Sequence, residues 1–579
     1  MAFLQAYFPS VTREDGSFSL RLTIHSAISF VLLFLLMASQ PVSNFMMSGM
    51  EILLAVNWLL EWDMRAKLER GRRQPLLWAF LVLMLVHVVW QLLSTNTGYG
   101  WEDIFRKLPL LAIPLVVLTS RPLNRVQLWT VLMGFVLSVF VATIIGRVRM
   151  ATIPDLPYRD IIPFISHIRF SMNVCLALVV LAWLAVERHR CKGKLSGDWL
   201  LWIVAVVALS FVDFLLRLRS YTAFVMLFVV AVVLLAVFWK RIGHRLARVC
   251  LALLLTLVLA FAAVSALMVR DYYRLVPLAK EPLEAVTANG NPYQHKQDGL
   301  IENGNYVNNY ICRSELESEW AKRSSMPLDE LTDNEYTVYP TLLRYLNAMG
   351  VAKDSDGVAL LHDEDVRAIE KGIANPVYVH GSSLRKMYYV MFFEYECYGK
   401  LGAVKDFTML QRFELWKNAW RVFKKQPLMG VGTGDVVDCC HKQLETDGSP
   451  LAGTKKHTHN QYLTFLVTFG LLGFSIIVLM FVYAFRRQRL LRIPAVLAFV
   501  TIVLVSFITE DTLETLAGCV FSVLFLCLMG AGERRAENGE RRTENGERRT
   551  ENGKQFANQK SLNQKSPNHK SLNHKSLNH

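Results

Sequence analysis

Apolar runs of about 18–22 residues recur along most of this 579-residue chain, each long enough to cross a hydrocarbon layer about 30 Å thick. A soluble enzyme is excluded, because no water-soluble core needs so many uninterrupted apolar stretches of that length. About twelve membrane helices are read, near 22–40, 43–61, 75–94, 105–120, 126–145, 170–187, 199–216, 220–239, 249–269, 461–485, 493–508 and 514–531. The fourth and eleventh are short. The fourth carries Pro109 and Pro114, which a membrane helix tolerates when its neighbours satisfy the freed backbone groups. No small-residue cleavage site follows a short apolar core in the first run, so it is expected to stay as a membrane helix.

The formal net charge of +15 would suit a nucleic-acid partner if it lay on one folded face. It does not. Residues 270–458 carry three more acidic than basic residues, and the tail from Glu533 carries five more basic than acidic ones. The remainder holds a basic excess of thirteen, concentrated in short loops between apolar runs. That is a topology signal rather than a nucleic-acid-binding face. Five loops are strongly basic: Arg65 to Arg73, Arg121 with Arg125, Arg188 to Lys194, Lys240 to Arg248, and Arg486 to Arg492. Counting spans puts all five on one side, which is therefore cytoplasmic, and both termini join it.

The expected fold is an all-α polytopic membrane protein with a large, mostly helical outward segment between the ninth and tenth spans. The divisions are 1–269, 270–460, 461–532 and 533–579. The outward segment is too long for a structureless loop. Trp320, Tyr345, Trp416 and Trp420 are available for a core of its own. From Phe407 to Phe423 the apolar residues Leu410, Phe413, Leu415, Trp416, Ala419, Trp420 and Phe423 recur at helical spacing. The tail consists of polar heptad and pentad repeats that bury nothing, so it is expected to be disordered. Of the nine cysteines, Cys312, Cys397, Cys439 and Cys440 fall in the outward segment, where disulfides persist. Cys439, Cys440 and His441, with His457 and His459, match no zinc spacing, and no metal site is assigned.

Some positive charges break the topology rule. Arg147, Arg149, Arg159 and Arg169 lie in or around the outward loop between the fifth and sixth spans, and Arg217 and Arg219 lie in the tight turn between the seventh and eighth. An ionisable group at that depth is costly and marks a functional site by default. Snorkelling to lipid phosphates is the plainer reading, favoured for Arg149 and Arg159, which have room. A cluster of arginines suits an anionic lipid headgroup such as a pyrophosphate, since Arg clamps phosphate bidentately. Just before the tenth span comes His457-Thr458-His459-Asn460-Gln461-Tyr462-Leu463. A histidine at the membrane–water boundary suits a general base, and helix capping is the alternative. Gly430, Gly432 and Gly434 lack the Lys and Ser/Thr of a phosphate-binding loop, so close backbone approach is the expected role. Glu510 and Asp511, at the outer end of the eleventh span, read as helix caps or as contacts to a sugar hydroxyl.

Taken in order, several of these motifs resemble the O-antigen ligase / O-antigen polymerase superfamily. They are Arg412-x3-Trp416, Pro427-x2-Gly430-x-Gly432, and His459-Asn460-x-Tyr462-Leu463 with Gly470 and Gly473. Arg219-Ser220-Tyr221-Thr222-Ala223 and Thr509-Glu510-Asp511-x-Leu513 with Ala517-Gly518 are similar to further motifs of that family. The resemblance is clearest over 200–270 and 405–530. It implies a glycosyltransferase of the bacterial inner membrane that takes a glycan from undecaprenyl pyrophosphate on the periplasmic face. The acceptor hydroxyl would belong to a lipid A-core sugar, to another glycan chain (a polymerase), or to a protein side chain (an O-oligosaccharyltransferase). No metal, cofactor or nucleic acid is implied. His459, Arg219 and Arg412 are then the catalytic candidates, and Arg217, Arg169, Arg147, Glu510 and Asn460 the substrate-binding ones. The competing class is a transporter of polyisoprenoid-linked glycans, but the matched halves with paired broken helices that a transporter would show are not seen. The long outward segment departs from a plain ligase.

Overall fold

The computed structural model describes residues 5, 7–11, 17–154, 156–192, 198–273, 283–297, 301–333, 336–401, 408–454 and 456–532. The repeat tail lies outside the described residues. The chain opens with α1 (Leu20–Ser39), α2 (Asn44–Glu61), α3 (Met64–Arg72), α4 (Pro75–Gln91), α5 (Thr97–Arg106) and α6 (Pro109–Thr119). Then come α7 (Arg125–Thr152), α8 (His167–Lys192), α9 (Trp199–Arg217), α10 (Tyr221–Ile242) and α11 (His244–Tyr272). A two-residue antiparallel pair, β1 (Ile301–Glu302) and β2 (Asn305–Tyr306), precedes α12 (Arg313–Arg323), α13 (Val338–Met349), α14 (Ser355–Ala359), α15 (Asp363–Glu370), α16 (Val377–His380) and α17 (Ser383–Leu401). The last helices are α18 (Thr408–Lys425), α19 (Val436–Thr446), α20 (Gln461–Arg487), α21 (Pro494–Thr509) and α22 (Leu516–Gly532).

All twelve apolar segments are helical. Seven helices (α1, α7, α8, α9, α10, α11 and α20) are long and apolar enough to cross a membrane, and α3 with α4, bent by 89°, makes an eighth candidate. The expected count of about twelve is therefore met only with shorter helices. α6 is 11 residues long, between Pro109 at its first turn and an extended Ser120, and α21 is 16. α7, by contrast, overruns its expected end and carries Arg147 and Arg149 on the helix itself.

The chain forms two compact units, residues 1–239 with 415–579, and residues 240–414. These limits differ from the polarity boundaries: α11 falls in the second unit, and everything from Leu415 onward in the first.

In the first unit the α1–α2 hairpin packs on α7 and α6, α8 packs between α7, α9 and α21, and α4 lies along α20. Phe80 meets Phe481 and Trp90 meets Phe469, so α4 and α20 run antiparallel. One apolar core runs through these helices, with Leu36, Phe135, Phe170, Phe214, Phe469 and Phe499 fully or almost fully buried. α20 is broken at Gly470, whose φ of 61° and ψ of −168° leave helical space. The freed backbone groups are answered by the glycine run. Val431 and Gly432 N–H donate to the carbonyls of Val467 and Thr468, both at 2.9 Å, while Leu471 and Leu472 N–H donate to Pro427 at 2.8 Å and Leu428 at 3.0 Å. A span can break inside a membrane only where protein supplies such partners. The approach is so close that a Cβ on Gly430 would lie 2.5 Å from the Thr468 carbonyl oxygen, and one on Gly432 would lie 2.4 Å from Ser94 Oγ. The close-approach reading of these glycines is thus what the structure shows.

Four basic loops of this unit are tied together at one end. Arg121 reaches Asp63 at 4.0 Å, Arg125 reaches Glu187 at 2.6 Å, Arg188 reaches Asp198 at 2.8 Å, and Gln488 hydrogen-bonds Gln74. Lys67, counted as a topology charge, is buried and paired with buried Glu61 at 2.9 Å.

In the second unit a helical module encloses its own core of Leu316, Trp320, Leu342, Tyr345, Leu346 and Ile369. Trp320 and Tyr345 are in that core as expected; Trp416 and Trp420 are not part of it. α18 forms as its spacing predicts, but Phe413 and Trp420 are 54% and 48% exposed, because Leu410, Leu415, Ala419, Val422 and Phe423 supply its buried stripe. None of the apolar window of α11 is buried by protein. α17 is fastened to the end of α11 by Arg385 on Asp271 at 2.6 Å and by rings of Tyr272, Tyr389 and Phe392.

Candidate active site

At the end of the first unit opposite the basic loops, α20 starts from a fixed loop. Asn460 caps the helix, its side-chain oxygen accepting from Leu463 N–H at 3.1 Å. His459 holds left-handed backbone, φ 51°, one of six non-glycine residues with positive φ among those described. Such a conformation costs about 1–3 kcal/mol and persists only where its surroundings over-determine it. Here Asp511 does so. Its carboxylate accepts from His459 N–H at 2.6 Å, Asn460 N–H at 3.0 Å, and the hydroxyls of Thr458 at 3.0 Å and Thr464 at 2.7 Å. Asn460 Nδ2 donates to the Ile508 carbonyl at 3.1 Å, so the loop is fastened to the end of α21 twice.

The His459 backbone is locked while its imidazole stays 39% exposed. Its Nδ1 lies 3.9 Å from Glu510 Oε2, within reach of a modest approach. Arg169, in the first turn of α8, is within electrostatic reach of Glu510, and its guanidinium has no hydrogen-bonding partner among the described residues. His459, Glu510 and Arg169 thus share one end of the helices. Asp511, read as a cap or a sugar contact, is instead the anchor of the histidine loop.

Beneath this loop lies an ion cluster that the sequence reading missed. Lys107 is buried and bonds Asp103 at 2.6 Å and Glu514 at 2.7 Å. Gln461 donates to Glu514 at 3.0 Å and accepts from Leu513 N–H at 2.8 Å. The i,i+4 spacing of Asp103 and Lys107 was the available signal. The glycine run joins the same end: Gly434 N–H donates to Ser94 Oγ at 2.8 Å, and Asp435 accepts from Thr95 and Asn96 N–H at 2.8 and 2.7 Å.

The other arginines divide. Arg147 and Arg217 converge on one residue, Asp213, at 2.6 and 3.0 Å, with Arg147 also over the Phe214 ring. Asp213 was not weighed from the sequence, although Asp213-x3-Arg217 is ion-pair spacing on a helix. Arg219 behaves differently. It is exposed, holds left-handed backbone with φ 52°, and its guanidinium is unpaired among the described residues. Cys175 Sγ contacts the Ala223 carbonyl at 3.7 Å, so the starts of α8 and α10, with Arg169 and Arg219, face the same end. Arg149 bonds the Asp160 carbonyl at 3.2 Å, and Arg159 sits over Tyr158, which accounts for both locally. Arg412 stands half-buried on α18 in the second unit.

Cys312, Cys439 and Cys440 carry free thiols, and the side chain of Cys397 lies outside the described residues. Among the described residues no group of three or more His, Cys, Asp or Glu is placed to hold a metal ion.

Residues 371–478 match the family model described as O-antigen ligase. The matched stretch contains Arg412, the glycine run, His459 and Asn460, and the break at Gly470. No curated protein matches the chain. That match over residues 371–478 supports membership of the O-antigen ligase superfamily and a glycosyltransferase of the ligase and polymerase type, and the apolar helices point to a multi-pass membrane protein.

Proposed function

We propose that this protein is an O-antigen ligase-like transferase of the bacterial inner membrane, with both termini cytoplasmic. The donor is a glycan on undecaprenyl pyrophosphate, and the acceptor is a hydroxyl of a lipid A-core sugar on the periplasmic face. The observation that carries the reading is the exposed His459 imidazole on a strained backbone locked by Asp511, with Glu510 and Arg169 beside it. A side chain that only capped α20 would not need that lock, since Asn460 already does the capping.

The reaction is an inverting displacement. The acceptor oxygen forms a bond to the anomeric carbon as the bond from that carbon to the pyrophosphate oxygen breaks. The hydroxyl proton passes to His459, and Glu510 orients the imidazole and steadies its positive charge. The negative charge arriving on pyrophosphate is met by Arg219, Arg169 and Arg412, fixed cations whose value is greatest where water is thin. Arg147 and Arg217, already shared with Asp213, shape the rim. Asn460 holds the loop and is a positioning residue. No metal is required.

The test is lipopolysaccharide on a gel from a deletion strain carrying wild-type protein, His459→Ala, Arg219→Ala or Arg412→Ala. Loss of polymer from the core in each variant, with free polymer left on the carrier and the variant still in the membrane, is the expected result. Near-normal surface polymer in all three variants would sink the assignment. A core bearing a single repeat unit would mark a polymerase instead, and intact lipopolysaccharide with bare glycoproteins would mark protein transfer.

A further inference from the structure

The donor of the proposed reaction has a second half, a long isoprenoid chain that must leave the site into the membrane. We propose that the isoprenoid runs along the exposed face of α21 formed by Leu504 and Ile508 and edged by Tyr462 and Phe507. The inference rests on the transferase reading for the identity of the ligand.

Four observations select this face among the lipid-facing surfaces. First, α21 ends at Glu510, which lies 3.9 Å from His459 Nδ1 and within electrostatic reach of Arg169, so a headgroup held at this cluster sits at the end of α21. Second, the opposite side of α21 is taken by α8, which leaves Leu504 at 46% and Ile508 at 47% exposure on the free side. Third, the face is built as a continuation of the histidine loop. Asn460 Nδ2 donates to the Ile508 carbonyl at 3.1 Å and Tyr462 OH to the Leu504 carbonyl at 2.8 Å. Fourth, Tyr462 and Phe507 meet edge to face, with ring centroids 5.8 Å apart, which makes a firm aromatic border one turn below the headgroup level. Flexible isoprene units gain contact along such a border at little ordering cost to the protein. Leu504 and Ile508 are one helical turn apart, so one chain lying along the axis touches both.

The experiment uses the full-length protein in lipid nanodiscs and two synthetic donors that differ only in the lipid, undecaprenyl or a five-carbon prenyl. In Leu504→Gln/Ile508→Gln, the kcat/KM for the long donor relative to the short one is expected to fall about tenfold, since only the long tail loses apolar contact along this face. An unchanged ratio overturns the proposal, including the case in which both donors slow equally. A second measurement stands apart from turnover. An isoprenyl pyrophosphate bearing a benzophenone is photo-crosslinked, and the labelled peptides are mapped. Labels within 500–508 and on the start of α20 are expected, and labels confined to other helices overturn the tail path. If wild-type protein transfers from neither donor, the transferase reading fails, and the crosslink map alone decides where an isoprenoid lies.

Discussion

The two ends of the first unit differ in how their positive residues are partnered. At the basic-loop end several cations are matched, Lys67 with Glu61, Arg70 with Asp63, Arg125 with Glu187 and Arg188 with Asp198, and the arginines of the last loop, Arg486 to Arg492, lie at the same end. At the other end Arg147 and Arg217 share Asp213, while Arg169 and Arg219 keep guanidinium groups with no hydrogen-bonding partner among the described residues. On the proposed reading, the unmatched donors of Arg169 and Arg219 are kept for the pyrophosphate of the donor. Being unpaired is not sufficient, however. In the second unit Lys353 is completely buried without a carboxylate, yet its Nζ donates to the Asn309 carbonyl at 3.0 Å and to Asn347 Oδ1 at 2.9 Å. Lys353 is satisfied and closed off, so it is structural.

The largest test of this contrast is to remove one unmatched and one matched arginine. Arg169→Ala is expected to lower glycan transfer by about 10²–10³, the usual cost of losing one fixed charge donor at a developing anion. Arg188→Ala, at the opposite end of the unit, is expected to leave transfer within about twofold, since its partner Asp198 still caps α9 through Leu200 N–H. Equal losses in a transfer assay on purified protein would erase the distinction between the two ends. A structural effect of comparable size is expected at the break in α20. Gly432→Ala forces a Cβ to within 2.4 Å of Ser94 Oγ and 2.9 Å of the Trp90 carbonyl at a φ of 95°. A loss of about 2–4 kcal/mol of stability follows. Size-exclusion profiles in detergent should show less folded protein than Gly49→Ala, which has open space around it and helical backbone.

A smaller effect is expected where the arginines are already neutralised. Arg217→Ala should reduce transfer less than tenfold, because Asp213 still holds Arg147. A loss as large as that of Arg219→Ala would show that pairing with Asp213 does not spare the ligand. The smallest effect concerns the satisfied cation. Burial pushes the Lys353 amine down to about 8, against about 10.4 in an unfolded chain. Between those values the unfolded chain binds more protons, so stability rises with pH through that window and the cost of the buried charge is complete below it. Lys353→Met should flatten that rise and lift the thermal midpoint near neutral pH by a few degrees, as read by differential scanning fluorimetry of the full-length protein.

Much of the fold was legible because membrane insertion writes itself into local composition. The helical state of the apolar segments, the four basic loops gathered at one end of the first unit and the helix over α18 all follow from runs and spacings that neighbouring residues carry alone. The span count was less secure, since helix length depends on where Pro109, Ser120 or Gly470 interrupts a run and on what packs against it. At the site, the sequence pointed to His459, Glu510, Arg169 and Arg219 by residue type at an unusual depth. It did not find Asp213, Lys107 or the full role of Asp511, whose partners are other helices and whose spacing from them is arbitrary.

Hydropathy and charge, which act residue by residue against the bilayer, were enough for the sequence alone to determine a multi-pass helical protein with its chemistry at one face. Its motif residues placed that chemistry among lipid-linked glycan transferases. Only the tertiary structure decided which arginines are spent on Asp213, what holds His459 in its strained turn, and why Gly430, Gly432 and Gly470 must be glycine. Those outcomes depend on contacts between segments distant in the chain, from His459 with Asp511, 52 residues apart, to Thr433 with His87, 346 apart, which no local pattern records.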